Sequence, residues 1–328
     1  MYLNKRIIRK EREQAMMKIV FFGSDDFAEV HLKALIEAPH EVLACVTPPD
    51  KGKGRGLKVG VSPVKARAIR HGIPVLQPVS LKEETFINSL RAAASDIFVV
   101  IAYGRLIPEE ILQIPRQGAL NVHGSLLPQY RGAAPINWAI INGERETGIS
   151  IIKINPLIDA GDIISTAPIK IEEEDTAVTL RARMIQVGPP LLLRTLQSMA
   201  RNDYALTPQS PRDVTFAPKL TKALGHIVWT QSARAIHNLA RGLLPWPTAY
   251  TYYKGKLLKI LSTEVIEEET SAPAGQIIAI HKKGIVTATG RFKLLIKRVH
   301  PESGKPMDAQ SFGAGSRLGP GSVFDRTQ

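Results

Sequence analysis

The run Asp96-Ile-Phe-Val-Val-Ile-Ala102 constrains the fold more than any other stretch of this chain. An unbroken apolar run of strand length reads as a β-strand covered on both faces, which belongs in a parallel sheet flanked by helices. Lys18-Ile-Val-Phe-Phe-Gly23 reads as a second buried strand, ending at a glycine. Ser24-Asp25-Asp26 then caps a helix predicted through Ala38, with Phe27, Val30, Leu32, Leu35 and Ile36 as its apolar positions. Further strands are expected over residues 41–47, 74–77 and 119–123. Helices are expected from Ser62-Pro63, where Ser caps and Pro takes the first helical position, and over residues 81–93, 108–114 and 135–142. Strand and helix alternate with short connections, so the class is α/β: an N-terminal Rossmann-like domain with a mostly parallel sheet and right-handed crossovers.

After Thr147 the rhythm changes. Two strand-like segments flank a turn around Asp159, and a helical stretch over residues 176–202 follows, in which Gly188-Pro189-Pro190 is expected to kink or break the helix. Beyond a helix over residues 232–244 come short β-rich segments at 249–253, 257–266, 274–281, 284–288 and 292–299, with turns at Lys282-Lys283-Gly284 and Thr289-Gly290-Arg291. They predict a C-terminal β-barrel of Greek-key, OB-like type. The expected division is a basic, disordered extension over 1–16, a catalytic domain over 17–205, a linker over 206–225 and the barrel over 226–328.

The formal charge of +13 is confined to three places. The first is the N-terminal tail, which has no apolar core of a signal peptide. The second is the Gly-rich loop Pro48 to Lys58, with Lys51, Lys53, Arg55 and Lys58. The third is the chain from residue 206 on, with seventeen Lys and Arg against eight acids. A basic, Gly-rich loop is ordinarily a solvated insertion; a second basic region elsewhere points instead to a large polyanionic substrate. No apolar run is long enough to span a bilayer, and no membrane association is expected. The single Cys45 lies in an apolar strand-like run, which makes it a core residue and suits a reducing cytoplasm. Gly23-Ser-Asp-Asp-Phe27 lacks the spacing of a dinucleotide fingerprint, and its two acids would repel a pyrophosphate. The histidines show no zinc-ligand spacing, so no metal is expected.

The chemistry is concentrated in Asn121-Val-His-Gly-Ser-Leu-Leu-Pro128. In a strand, residues i and i+2 share a face, so Asn121 and His123 present an amide and an imidazole side by side, a pair suited to handling one carbonyl. An isolated Asn-x-His ordinarily satisfies a turn. Asp159, in Leu157-Ile-Asp-Ala-Gly-Asp162, would orient His123 if its loop folds over the strand end, and Asp162 competes for that role.

Asn121 to Pro128, Arg131-Gly-Ala-Ala-Pro135, Asp159-Ala-Gly-Asp162, Ser62-Pro-Val-Lys65 and the basic loop together resemble the methionyl-tRNA formyltransferase family, from about Met17 to the C-terminal region. The resemblance implies that 10-formyltetrahydrofolate donates its formyl group to the α-amino group of methionyl initiator tRNA, by direct attack through a tetrahedral intermediate. It implies Asn121, His123 and Asp159 as catalytic residues, with Asp159 preferred over Asp162. It implies Ser125, Leu126, Leu127, Pro128, Arg105, Leu106 and Ile107 at the folate, and Lys51, Lys53, Arg55 and Lys58 at the tRNA. A cytoplasmic monomer serving translation initiation is expected. Members commonly carry Arg where this chain has Lys51, which keeps the charge and loses the planar fork. Two other readings stay open: a formyltransferase acting on a sugar-nucleotide amine, and an RNA-binding protein that has lost catalysis.

Overall fold

The computed structural model describes residues 16–53 and 58–325. The chain forms two compact units, neither of them one continuous stretch. The first takes the chain up to Gly132 together with Gly148–Ile169 and Arg183–Phe216. The second takes Ala133–Thr147, Lys170–Ala182 and the chain from Ala217 on.

In the first unit, β1 (Lys18–Gly23), α1 (Asp26–Glu37) and β2 (Glu41–Val46) are followed by α2 (Pro63–Arg70), β3 (Val75–Leu76), α3 (Glu84–Ala92), β4 (Ile97–Ile101), α4 (Glu109–Leu112) and β5 (Ala119–His123). The strands β6 (Glu146–Lys153) and β7 (Ile163–Lys170) complete a seven-stranded sheet in the order β7-β6-β5-β4-β1-β2-β3. Pairing is parallel from β3 through β5, and β6 runs antiparallel to β5. Every residue of β4 is buried, and so is all of β1 after Lys18, because helices cover both faces of the middle of the sheet. The start signals act as their chemistry predicts: the Asp25 side chain accepts from Ala28 N, and Ser62 accepts from Lys65 N with Pro63 behind it. In α1 the core face is Phe27, Ala28, His31, Leu32 and Leu35, so His31 lies deeper than Val30 or Ile36.

Pro189 and Pro190 do not break the long helix α6 (Ala177–Ala200). Two prolines remove two intrahelical donors, but Met184, Leu192, Leu196 and Met199 are all fully buried on either side of them. That burial holds the helix together across the defect.

In the second unit, α5 (Pro135–Ile141) and α7 (Ala233–Gly242) accompany the strands β8 (Ala249–Tyr253), β9 (Lys256–Ile266), β10 (Ile277–His281), β11 (Gly284–Ala288) and β12 (Lys293–Pro301). Their order is β8-β9-β12-β11-β10, antiparallel throughout, which gives the barrel-like C-terminal domain that the segment pattern predicts. Asn137 on α5 donates to the Gly242 carbonyl at the end of α7 at 2.7 Å. Trp229 stacks on Phe324 with ring centroids 5.1 Å apart and donates to Thr251 Oγ1 at 3.0 Å. Phe324 is a core residue because the chain returns after the short helix α8 (Ala309–Gly315): Ile277 N donates to Ser322 O, and Phe324 N to Gly275 O. Among the described residues, no helix is long and apolar enough to cross a membrane.

Candidate active site

Asn121 and His123 occupy alternate positions at the C-terminal end of β5, paired across to Ile152 and Ser150 of β6. Period two puts both on one face of the sheet. His123 is 5% exposed and Asn121 is half-buried. The loop between β6 and β7 brings Asp159 to both of them. Asn121 Nδ2 donates to Asp159 Oδ1 at 3.0 Å, and Asp159 Oδ2 lies 3.5 Å from His123 Nδ1. Gly132 N also donates to Asp159 Oδ2, at 2.9 Å. One carboxylate therefore gathers an amide, an imidazole and a backbone N–H.

The other ring nitrogen, His123 Nε2, lies 2.9 Å from the Tyr130 carbonyl. Asp162 does not take the place of Asp159; its carbonyl accepts from Lys153 N at 2.9 Å and closes the mouth of the β6–β7 loop. Gly161 is required there, since a Cβ would run into the Lys153 carbonyl oxygen. The Asp159 backbone has φ +49°.

The neighbouring apolar loop is braced from within. Ser125 is fully buried, and its hydroxyl donates to Gln129 O at 2.6 Å. Ser150 Oγ donates to Ser125 O at 2.8 Å and accepts from Leu127 N at 3.0 Å. Leu126 and Pro128 are half-buried and Leu127 is buried. Arg105 is anchored by donating to Pro78 O and Val79 O, both at 2.9 Å, with Ile107 buried and Leu106 exposed beside it. In the basic loop the backbones of Lys51–Lys53 and Lys58–Gly60 pair as an antiparallel ribbon; Arg55 lies outside the described residues, as does the chain before residue 16. Burial pushes the Cys45 thiol up to about 12, which leaves it inert. Among the described residues no group of three or more His, Cys, Asp or Glu side chains is placed to hold a metal ion.

The sequence carries no signal for Tyr130, Gln209 or Thr215, whose contributions are backbone groups or contacts between residues far apart in the chain. Arg131 and Gly132 lie in the motif Arg131-Gly-Ala-Ala-Pro135, which by itself assigns them no role.

Residues 17–196 match the formyl transferase family, and residues 219–317 match the formyl transferase C-terminal domain. A methionyl-tRNA formyltransferase of Acetivibrio thermocellus is 44% identical over 309 residues, covering 94% of this chain and 99% of that protein. One from Caldanaerobacter subterraneus subsp. tengcongensis is 43% identical, covering 94% and 100%. The chain belongs to the methionyl-tRNA formyltransferase family. It is a formyl-transferring enzyme, and Asn121, His123 and Asp159 stand within the matched region. Solved structures share the fold at lower identity. WlaRD, a sugar 3N-formyl transferase determined with dTDP and 5-N-formyl-THF, superposes with a TM-score of 0.65 at 19% identity, covering 88% of this chain and 98% of that one. HypX from Aquifex aeolicus, determined with tetrahydrofolic acid, gives 0.63 at 17% identity; the match covers 95% of this chain but 50% of the HypX chain.

Proposed function

We propose that this enzyme transfers the formyl group of 10-formyltetrahydrofolate to the α-amino group of methionyl initiator tRNA, as a cytoplasmic monomer serving translation initiation. The observation that carries the reading is the single carboxylate of Asp159 meeting both Asn121 and His123. Bound 10-formyltetrahydrofolate supplies a formyl carbon on N10; an amine nitrogen bonds to that carbon first, through a tetrahedral intermediate, and the bond to N10 breaks afterwards.

The residues fit that donor. An amide nitrogen carries two hydrogens, so Asn121 has one left for the formyl oxygen after donating to Asp159. Such a donor is worth roughly 3 kcal/mol in a comparable oxyanion site. His123 exchanges a proton at Nδ1, taking it from the attacking amine and returning it to the departing nitrogen, while Asp159 holds the ring. The amine itself needs little activation, because an α-amino group has a reference pKa of roughly 8. The braced loop Ser125 to Pro128, with Arg105, Leu106 and Ile107, forms the folate contacts. Lys51, Lys53, Arg55 and Lys58 and the basic C-terminal third attract the tRNA phosphates. Relatives named for methionyl-tRNA support that acceptor over a sugar amine.

The test is formyl transfer from 10-formyltetrahydrofolate to methionine-charged initiator tRNA, with free methionine, uncharged tRNA and a nucleotide-linked amino sugar as controls, in wild type and His123→Ala. Transfer confined to the charged tRNA, falling steeply with salt and lost in the variant, is the expected result. Transfer to the amino sugar and none to charged tRNA would overturn the acceptor; undiminished transfer by His123→Ala would overturn the site.

A further inference from the structure

Residues 207–215 carry two residues that hold the cluster from outside it. Gln209 Nε2 donates to the carbonyl oxygens of both Asp159 and Gly161, at 2.8 and 2.7 Å. Gln209 Oε1 accepts from Arg131 Nε at 2.9 Å and from its Nη2 at 2.7 Å. This pattern leaves the carboxamide one orientation, since a flip would turn its oxygen toward two carbonyls and its nitrogen toward two N–H donors. Thr215 braces the adjoining segment: its Oγ1 accepts from Tyr130 N at 2.8 Å and its carbonyl from Arg131 N at 2.9 Å. Three consecutive residues then reach three targets. Tyr130 O meets His123, the Arg131 side chain meets Gln209, and Gly132 N meets Asp159. The strap is itself fastened at its start, where Thr207 and Ile163 exchange backbone hydrogen bonds, both 2.9 Å.

The restraint has a purpose at Asp159. Its φ of +49° lies in the left-handed region, which is less favourable than the ordinary region for a residue with a Cβ. A turn held only by its own side chain would relax toward the ordinary region and swing the carboxylate away. Gln209 blocks that route by binding the peptide carbonyls at Asp159 and Gly161, at both ends of the turn.

We propose that Gln209, held by Arg131, is a positioning residue for formyl transfer: it locks the Asp159-Ala160-Gly161 turn so that the Asp159 carboxylate meets Asn121 and His123 Nδ1. The inference rests on the reading that His123 carries the proton traffic while Asp159 holds its ring. Gln209 acts through Asp159.

Gln209→Glu tests it most sharply. It keeps the size and the Arg131 contact, and sets an acceptor against two carbonyl oxygens. The expected kcat falls on the order of 10- to 100-fold, with KM for donor and acceptor within about threefold. In protein labelled with ¹⁵N-histidine and free of substrate, the His123 ring nitrogen resonances, compared at one fixed pH, move from their wild-type positions. Gln209→Met, which removes the donors without adding charge, shifts the same resonance, and Arg131→Lys gives a smaller kcat loss of the same kind because it lacks the fork. The proposal is overturned by wild-type kcat in Gln209→Glu, by a loss carried in KM, or by His123 ring resonances that stay at their wild-type positions. Undiminished activity in His123→Ala would instead overturn the functional reading, and the two failures are distinct because the Gln209 variants are read on His123 itself without substrate.

Discussion

His123 Nε2 lies 2.9 Å from the carbonyl oxygen of Tyr130, and this contact decides which ring nitrogen is left free to exchange a proton. A carbonyl only accepts, so Nε2 carries a hydrogen in every protonation state that keeps the bond. Proton exchange is left to Nδ1, the nitrogen that faces Asp159. Tyr130 has φ +60° and is buried, so the carbonyl that fixes the tautomer is set by the backbone of a turn.

Asp159→Asn is predicted to lower kcat by about 10²- to 10⁴-fold while leaving the fold intact. The carboxylate accepts from Asn121 Nδ2 and Gly132 N and faces His123 Nδ1. A carboxamide has one acceptor oxygen, so its NH₂ must oppose one of these groups. Steady-state kinetics with charged tRNA check this, and a kcat within about threefold of wild type would remove Asp159 from the mechanism.

Lys65→Met is predicted to weaken acceptor binding without touching the chemical step. Lys65 Nζ pairs with Asp50 and donates to Gln77 Oε1 at 2.6 Å, while Gln77 Nε2 donates to Asp50 Oδ1 at 3.0 Å and Pro48 O at 2.9 Å. Asp50 immediately precedes the basic ribbon, so this knot fixes the ribbon's root. The hydrogen bond from Lys65, then that from Gln77, holds the Asp50 carboxyl below its usual range. A lowered folded-state pKa means that the knot contributes above the ordinary aspartate value of about 4 and is lost as pH falls below it. The expected outcome is an acceptor KM raised about 3- to 10-fold with kcat and donor KM unchanged. Hydrogen exchange at Gly60 should quicken in wild type below that pH and already be fast in Lys65→Met at neutral pH; equal protection in both proteins would dismiss the knot.

Local chemistry was legible where it is local. The Asp25 and Ser62 caps, the buried β4 run and the shared face of Asn121 and His123 all follow from spacing over a few residues. The failures are long-range. Gln209 and Thr215 lie 50 and 85 residues from the partners they hold, Asp159 and Tyr130, and polar side chains in a stretch with no apolar period carry no sign of it. Pro189 and Pro190 read as a kink or a break because propensity says nothing of the buried leucines beyond them, and the break is absent. Phe324 carries no local sign of its burial, because the strand it covers lies more than forty residues away, at Ile277.

His31 is predicted to make the first unit acid-sensitive. It is fully buried on α1, its Nδ1 lies 2.8 Å from the Phe27 carbonyl, and Gly188 of α6 approaches the rest of the ring so closely that a Cβ would stand 2.8 Å from His31 Cε1. Burial pushes its pKa down to about 4, only partly offset by the bond to Phe27. The folded state therefore holds a neutral ring, and the unfolded chain takes up a proton first. Stability is full above the unfolded value of about 6.5 and is lost as pH falls toward 4, by roughly 2–3 kcal/mol over that window. His31→Leu removes the titration and should flatten this part of the pH dependence. Gly188→Ala should instead lower stability by about 1–3 kcal/mol at neutral pH, through overpacking against His31 and Ile149. Urea melts of the three proteins between pH 7 and 4.5 separate the two effects, and a His31→Leu protein with the wild-type slope would place the acid sensitivity elsewhere.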